Sequence, residues 1–124
     1  MDEAAPRKRV LIVDDASTTR TLLRKLLEQQ GLECTEAASG EEAVKLYHAQ
    51  RPDLVTLDIH MDKLSGMGVV QVLLKLDPKA KIVIVTSETE KRITDELLRM
   101  GAKDVVQKPF SADHFHEAIA HALQ

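Results

Sequence analysis

The residues able to do chemistry stand directly behind short apolar runs. Asp14-Asp15 follows Val10 to Val13, Asp58 follows Leu54 to Leu57, Thr86 follows Lys81 to Val85, and Lys108 comes two residues after Val105-Val106. If the chain brings them together, three carboxylates share one pocket. They repel one another, and without a counter-charge they raise each other's pKa or open the pocket. The Lys108 ammonium offsets one charge and leaves about two, and a hard all-oxygen donor set with that excess suits Mg²⁺ with retained waters. Such a pocket matches phosphoryl transfer, which asks for an in-line nucleophile and cations on the equatorial oxygens. Asp58 offers a carboxylate nucleophile that can form an acyl phosphate. Mg²⁺ on Asp15 and Asp58, the Lys108 ammonium and the Thr86 hydroxyl would supply the electrostatic part.

Side chains so distant in sequence meet only if the runs that precede them lie side by side. Val10 to Val13 is a continuous apolar run ending on two acids, the pattern of a strand buried on both faces of a parallel sheet. Ser17 is placed to cap the following helix, whose Leu22, Leu23, Leu26 and Leu27 fall on one side before Gly31 stops it. Glu33 to Ala37 is a weaker strand. Ser39 with Glu42 reads as a capping box opening a helix through Gln50, with Ala43, Val44 and Tyr47 facing inward. Pro52 breaks that helix and Leu54 to Leu57 forms a third strand. Ser65, Gly66 and Gly68 loosen the next connection, after which Val69, Val70, Val72, Leu73 and Leu76 have helical spacing up to Pro78. Lys81 to Val85 is the fourth strand, and Ile93, Leu97 and Met100 mark a helix closed by Gly101. Val105-Val106 is a short fifth strand ended by Lys108-Pro109. Ser111 caps a last helix with Phe115, Ile119 and Ala122 buried.

Strand-helix units in alternation imply an α/β fold: a doubly wound five-stranded parallel sheet, five helices on both faces, and right-handed crossovers. At 124 residues the best fit is the flavodoxin-like strand order 2-1-3-4-5. Ligands then bind beyond the carboxyl ends of the strands, where the order reverses. Strands one, three and four are neighbours, so Asp14, Asp15, Asp58 and Thr86 converge. The fifth strand lies two spacings from the third, about 10 Å, a gap only a long side chain such as Lys108 spans.

Composition sets the outer limits. The chain has room for one domain, 1–124 with 1–8 as a tail, and a chain this long buries about two thirds of its unfolded surface. Aromatic residues are 2%, so aliphatic side chains fill the core. A net charge of −3 and a single basic run, Arg7-Lys8-Arg9, argue against nucleic acid as the partner. No run approaches membrane-spanning length or forms a signal peptide, and Cys34, the only cysteine, allows no internal disulfide. These features point to a cytoplasmic protein without a membrane partner.

The ordered set Asp14-Asp15, Asp58, Thr86-Ser87 and Lys108-Pro109-Phe110 resembles the receiver domain of response regulators, and the match runs from Arg9 to Leu123. The resemblance implies a stand-alone CheY-like receiver of the chemotaxis type, in two-component signalling. A sensor histidine kinase or histidine phosphotransfer protein donates to Asp58. Mg²⁺ is held by Asp15, Asp58 and the main-chain carbonyl of His60, with Asp14 acting partly through water. The partner surface is the face of the fourth helix, fifth strand and fifth helix, which carries Lys91, Arg92, Arg99 and Lys103. Such a chain is a phosphoacceptor that assists its own phosphorylation and dephosphorylation rather than an enzyme. Three positions depart from the family's pattern: Asp62 replaces a usual proline, Val105 stands where Tyr or Phe is frequent, and His60 occupies a variable position beside the phosphoryl site.

Other readings carry less. A fragment of a larger regulator would look the same. An aspartyl-phosphate phosphatase of the haloacid dehalogenase type uses a DxD pair, whereas Asp14 and Asp15 are adjacent. A docking module that has lost phosphorylation would not need the whole chemical set. Gly66 and Gly68 lack the third glycine of a nucleotide loop, since Gln71 stands there. His114 and His116 do not share a helix face, so a metal site with His121 is not expected and all three are read as surface residues. Cys34 reads as a small buried hydrophobe.

Overall fold

The computed structural model describes residues 7–61 and 66–124; Asp62 and Ser65, singled out above, lie outside them. Among the described residues strand and helix alternate as β1 (Arg9–Val13), α1 (Ser17–Gln29), β2 (Glu33–Ala37), α2 (Gly40–Gln50), β3 (Leu54–Leu57), α3 (Gly66–Leu76), β4 (Ile82–Thr86), α4 (Lys91–Met100), β5 (Asp104–Gln107) and α5 (Ala112–Ala122). The strands pair in parallel in the order β2-β1-β3-β4-β5. The expected fold is therefore the observed one.

Alternation along the central strands divides the core in two, because successive side chains point to opposite faces. Leu11, Val13, Val55, Leu57, Ile82 and Ile84 pack on the side of α2, α3 and α4, where Tyr47, Val70, Leu73 and Leu97 meet them. Val10, Ile12, Leu54, Val83 and Val85 pack against Leu23, Leu27, Phe115 and Ile119 of α1 and α5. Each such side chain, fully buried, contributes about 1.5–3 kcal/mol of transfer free energy. The Tyr47 ring sits in the core while its hydroxyl donates to Asp77 Oδ2 at 2.8 Å, so its polar end is not stranded.

Local chemistry sets the ends of the elements. Ser39 Oγ accepts from Glu42 N at 3.1 Å and Glu42 Oε1 accepts from Ala38 N at 2.7 Å, a capping box that reaches one residue beyond the cap. Ser111 Oγ accepts from His114 N at 3.1 Å at the start of α5. Gly101 ends α4 at φ 126°, a conformation open to glycine but strained for other residues. A Cβ on Gly66 would lie 2.2 Å from Ile59 Cα, so glycine is required where α3 begins against the loop after β3.

The structure corrects several sequence expectations. Ser17 is the first residue of α1 rather than its cap; the cap is Ala16, without a side-chain bond. Leu22 and Val72 are 48% and 39% exposed, so the inward stripes of α1 and α3 are narrower than the leucine and valine spacing implied. β4 begins at Ile82, not Lys81, and itself includes Thr86. His116 is not a free surface residue: its Nε2 lies 3.0 Å from Leu26 O and its carbonyl accepts from Gln30 Nε2 at 2.9 Å, joining α5 to α1.

Candidate functional site

The last paired residues of β1 and β3 are Val13 and Leu57, so Asp14 and Asp58 leave the sheet level with each other. Asp58 N continues the ladder by donating to Val13 O at 3.1 Å, and Asp14 N donates to Ala37 O at 3.2 Å. The residue after each strand thus has a fixed backbone and a side chain at the carboxyl edge of the sheet.

Lys108 closes the group from the far side. Its amide donates to Thr86 O at 2.7 Å, which extends the pairing of Thr86 with Gln107 and aims the side chain inward. Its ammonium donates to Asp14 Oδ2 at 2.9 Å and to Asp58 Oδ2 at 3.1 Å. The two carboxylates are 2% and 9% exposed, so the pairs lie largely out of water. Burial by itself would pull the Lys108 pKa down, but the bonds to Asp14 and Asp58 outweigh it and hold the ammonium above its ordinary value. The Lys108-Pro109 bond is cis.

The second carboxylate oxygens are also engaged. Asp14 Oδ1 accepts from Ala16 N and Asp58 Oδ1 from His60 N, each at 2.9 Å. Thr86 is fully buried, and its Oγ1 accepts from Glu88 N at 3.2 Å, which leaves the hydroxyl proton free to donate elsewhere. Of the residues picked from sequence, Asp14, Asp58 and Lys108 are in direct contact, and Thr86 is bonded through its backbone to Lys108. Asp15 is exposed and joins none of these pairs. Among the described residues no group of three or more His, Cys, Asp or Glu side chains is close enough to cage a metal ion.

Two contacts at the site have no signal in the spacing of the motif. His60 Nε2 lies 3.1 Å from Glu88 Oε1, so the residues two positions after Asp58 and two after Thr86 meet across the mouth. Gln107 Nε2 donates to Glu88 O at 2.7 Å and ties the same loop to β5. On the other side, Arg20 joins the Asp14 carbonyl to Glu36 on β2. An arginine in the first turn of α1 is visible in the sequence, but its partner Glu36 is placed beside it only by the β1–β2 register.

A buried aspartate pair sharing one lysine thus lies where the strand order of a doubly wound sheet reverses, and likeness to known proteins identifies the family. The model described as "Response regulator receiver domain" matches residues 10–120. Protein CcdB of Bacillus subtilis (strain 168) is 41% identical over 93% of this chain and 97% of its own length. Chemotaxis protein CheY of Thermotoga maritima is 39% identical over 90% of this chain and 94% of its own. A solved CheX-CheY-BeF3-Mg+2 complex from Borrelia burgdorferi superposes with a TM-score of 0.89 at 29% identity, covering 94% of this chain and 90% of that one. The chain belongs to the response-regulator receiver domain family and is a two-component signalling protein with a CheY-like fold. No helix among the described residues is long and apolar enough to cross a membrane.

Proposed function

We propose that Asp58 is the phosphoacceptor of a receiver unit spanning residues 1–124, with 1–8 as its tail, and that the phosphoryl group changes the binding of a protein partner. The observation that carries this is the Lys108 ammonium, 3.1 Å from Asp58 Oδ2 and 2.9 Å from Asp14 Oδ2. It gives two nearly buried carboxylates a shared counter-charge at the carboxyl edge of the sheet, where the strand ends bring them together. An Asp58 oxygen attacks phosphorus as the bond to a donor imidazole nitrogen breaks, and that nitrogen leaves with the electron pair. Lys108 and the Thr86 hydroxyl donate to the phosphoryl oxygens, and attack by water on phosphorus later returns Asp58 to its free carboxylate. The chain is thus a phosphoacceptor that assists its own turnover rather than an enzyme acting on a second substrate.

The donor set fits Mg²⁺. Asp14, Asp15 and Asp58 exceed Lys108 by about two charges, every donor is a hard oxygen, and the small number of protein ligands leaves room for waters. Asp15, Asp58 and the His60 carbonyl would hold the ion, with Asp14 partly through water. When bound it supplies positive charge to the phosphoryl oxygens. A sensor histidine kinase or histidine phosphotransfer protein is the donor, and the α4–β5–α5 face is the output surface. Small acyl-phosphate donors with Mg²⁺ are expected to label Asp58, read by intact mass. Equal labelling of Asp58→Asn, or labelling undiminished by chelator, overturns the assignment.

A further inference from the structure

We propose that Arg20 is a positioning residue for the acid pair, holding the Asp14-Asp15 peptide so that Asp15 is presented to the metal; the inference rests on the reading of Asp15 as a metal ligand. Every polar atom of Asp14 is occupied. Its amide donates to Ala37 O, its carboxylate takes Ala16 N and the Lys108 ammonium, and its carbonyl accepts from Arg20 Nη1 at 2.6 Å. Asp15 is exposed, and its backbone direction follows from the peptide plane that the Asp14 carbonyl defines. Arg20 is the side chain that grips that plane.

Arg20 is itself fixed. Its Nε donates to Glu36 Oε1 at 2.9 Å, and Arg24 Nε holds the other Glu36 oxygen at 2.7 Å. The Arg20 side chain is 15% exposed. Glu36 pairs in register with Ile12, two residues before Asp14, so the anchor lies on the strand beside the acid pair. The Glu36 carboxylate is held below its usual pKa, first by the Arg24 bond and, against the opposing effect of burial, by the Arg20 bond. A plain α1–β2 ion pair would need neither the planar fork nor the carbonyl contact. The guanidinium uses one nitrogen for each, held in a rigid planar fork that a flexible ammonium lacks.

The test is calorimetric titration of Mg²⁺ alone into the full chain, with thermal melts in chelator alongside. Arg20→Gln is expected to weaken Mg²⁺ binding about tenfold, as loss of an outer-shell partner does. Arg20→Lys should fall between it and wild type. Arg20→Gln that melts lower yet binds Mg²⁺ as wild type does overturns the inference and leaves Arg20 a structural tie. Should Arg20→Gln not fold, Arg20→Lys and Glu36→Gln decide: weaker binding in both supports the clamp, and unchanged binding in either sinks it. Asp15→Asn distinguishes the two layers. Unchanged binding there overturns the role of Asp15 and this inference with it, whereas loss there with no loss at Arg20 overturns the clamp alone.

Discussion

The Lys108 ammonium donates to Asp58 Oδ2 at 3.1 Å although β4 separates the strand leading to Lys108 from the strand ending at Asp58. The bond from Lys108 N to Thr86 O sets the base of the side chain, and the Asp14 contact sets its tip. Lys108 is therefore placed before any phosphoryl group arrives, and its charge costs no reorganisation during transfer. Lys108→Met is expected to slow labelling of Asp58 by a small acyl phosphate about a hundredfold, in the range for loss of one pre-placed donor. Intact mass against time measures it. An unchanged rate would make the ammonium a structural tie only.

Cys34 gives the chain a dependence on alkaline pH. It is a free, buried thiol on β2, and burial pushes its pKa up to about 11 from 9.0. The folded state keeps the proton to higher pH than the unfolded state does. The resulting stability is complete below pH 9.0 and is lost as pH rises toward about 11. The upper bound on that loss is about 3 kcal/mol, because each tenfold difference in proton affinity between the two states corresponds to roughly 1.4 kcal/mol. Urea unfolding of wild type and Cys34→Ala across this range is expected to show the steeper decline in wild type. Parallel declines would mean that the thiol titrates alike in both states. The same burial makes slow reaction with thiol reagents the expected behaviour.

The fold was legible because the central strands of this sheet are continuous apolar runs and each ends on an uncommon residue. Strand order followed from alternation and length, and the convergence of Asp14, Asp58 and Lys108 followed from strand order. Errors fell where a one-dimensional pattern cannot weigh neighbours. Leu22 and Val72 match the helical spacing but lie past the edge of the contact with the sheet. Ser17 looks like a cap, yet Asp14 Oδ1 takes the Ala16 amide and the helix starts one residue earlier than a Ser17 cap would allow. Asp14 and Asp15 are adjacent, yet only Asp14 is buried, since adjacent residues leave a strand end in different directions. His60–Glu88 and Arg20–Glu36 could not be read, since both pairs depend on which loops and strands the fold lays side by side.

The switch is the last expectation, and it turns on Thr86. Its Oγ1 accepts from Glu88 N at 3.2 Å, and Glu88 is further tied to Gln107 on β5 through its carbonyl and to His60 through its carboxylate. If the hydroxyl turns to donate to a phosphoryl oxygen on Asp58, the loop leading into α4 must follow. An open groove of about 310 Å³ runs between that loop, α4 and β5, lined in part by Glu88, Thr94, Leu98, Val105 and Gln107. Val105 pairs with Ile84 on β4, and its β-branched side chain is stiff at χ1, so it has little rotamer freedom to contribute. The movement should therefore lie in the loop and helix and be read on the α4–β5–α5 face. There Lys91, Arg92 and Arg99 are partly neutralised by Asp95, Glu90 and Glu96, which leaves Lys103 as the expected cation without an ion pair among the described residues. Amide and methyl NMR with and without beryllofluoride, in wild type and Thr86→Ala, measures this. Shifts at Glu88, Thr94, Leu98 and Gln107 are expected in wild type and should fall by about half or more in Thr86→Ala, because the hydroxyl is what couples the site to the loop. Undiminished shifts in Thr86→Ala, or a Val105 rotamer change as large as the loop movement, would show that the signal leaves the site by another route.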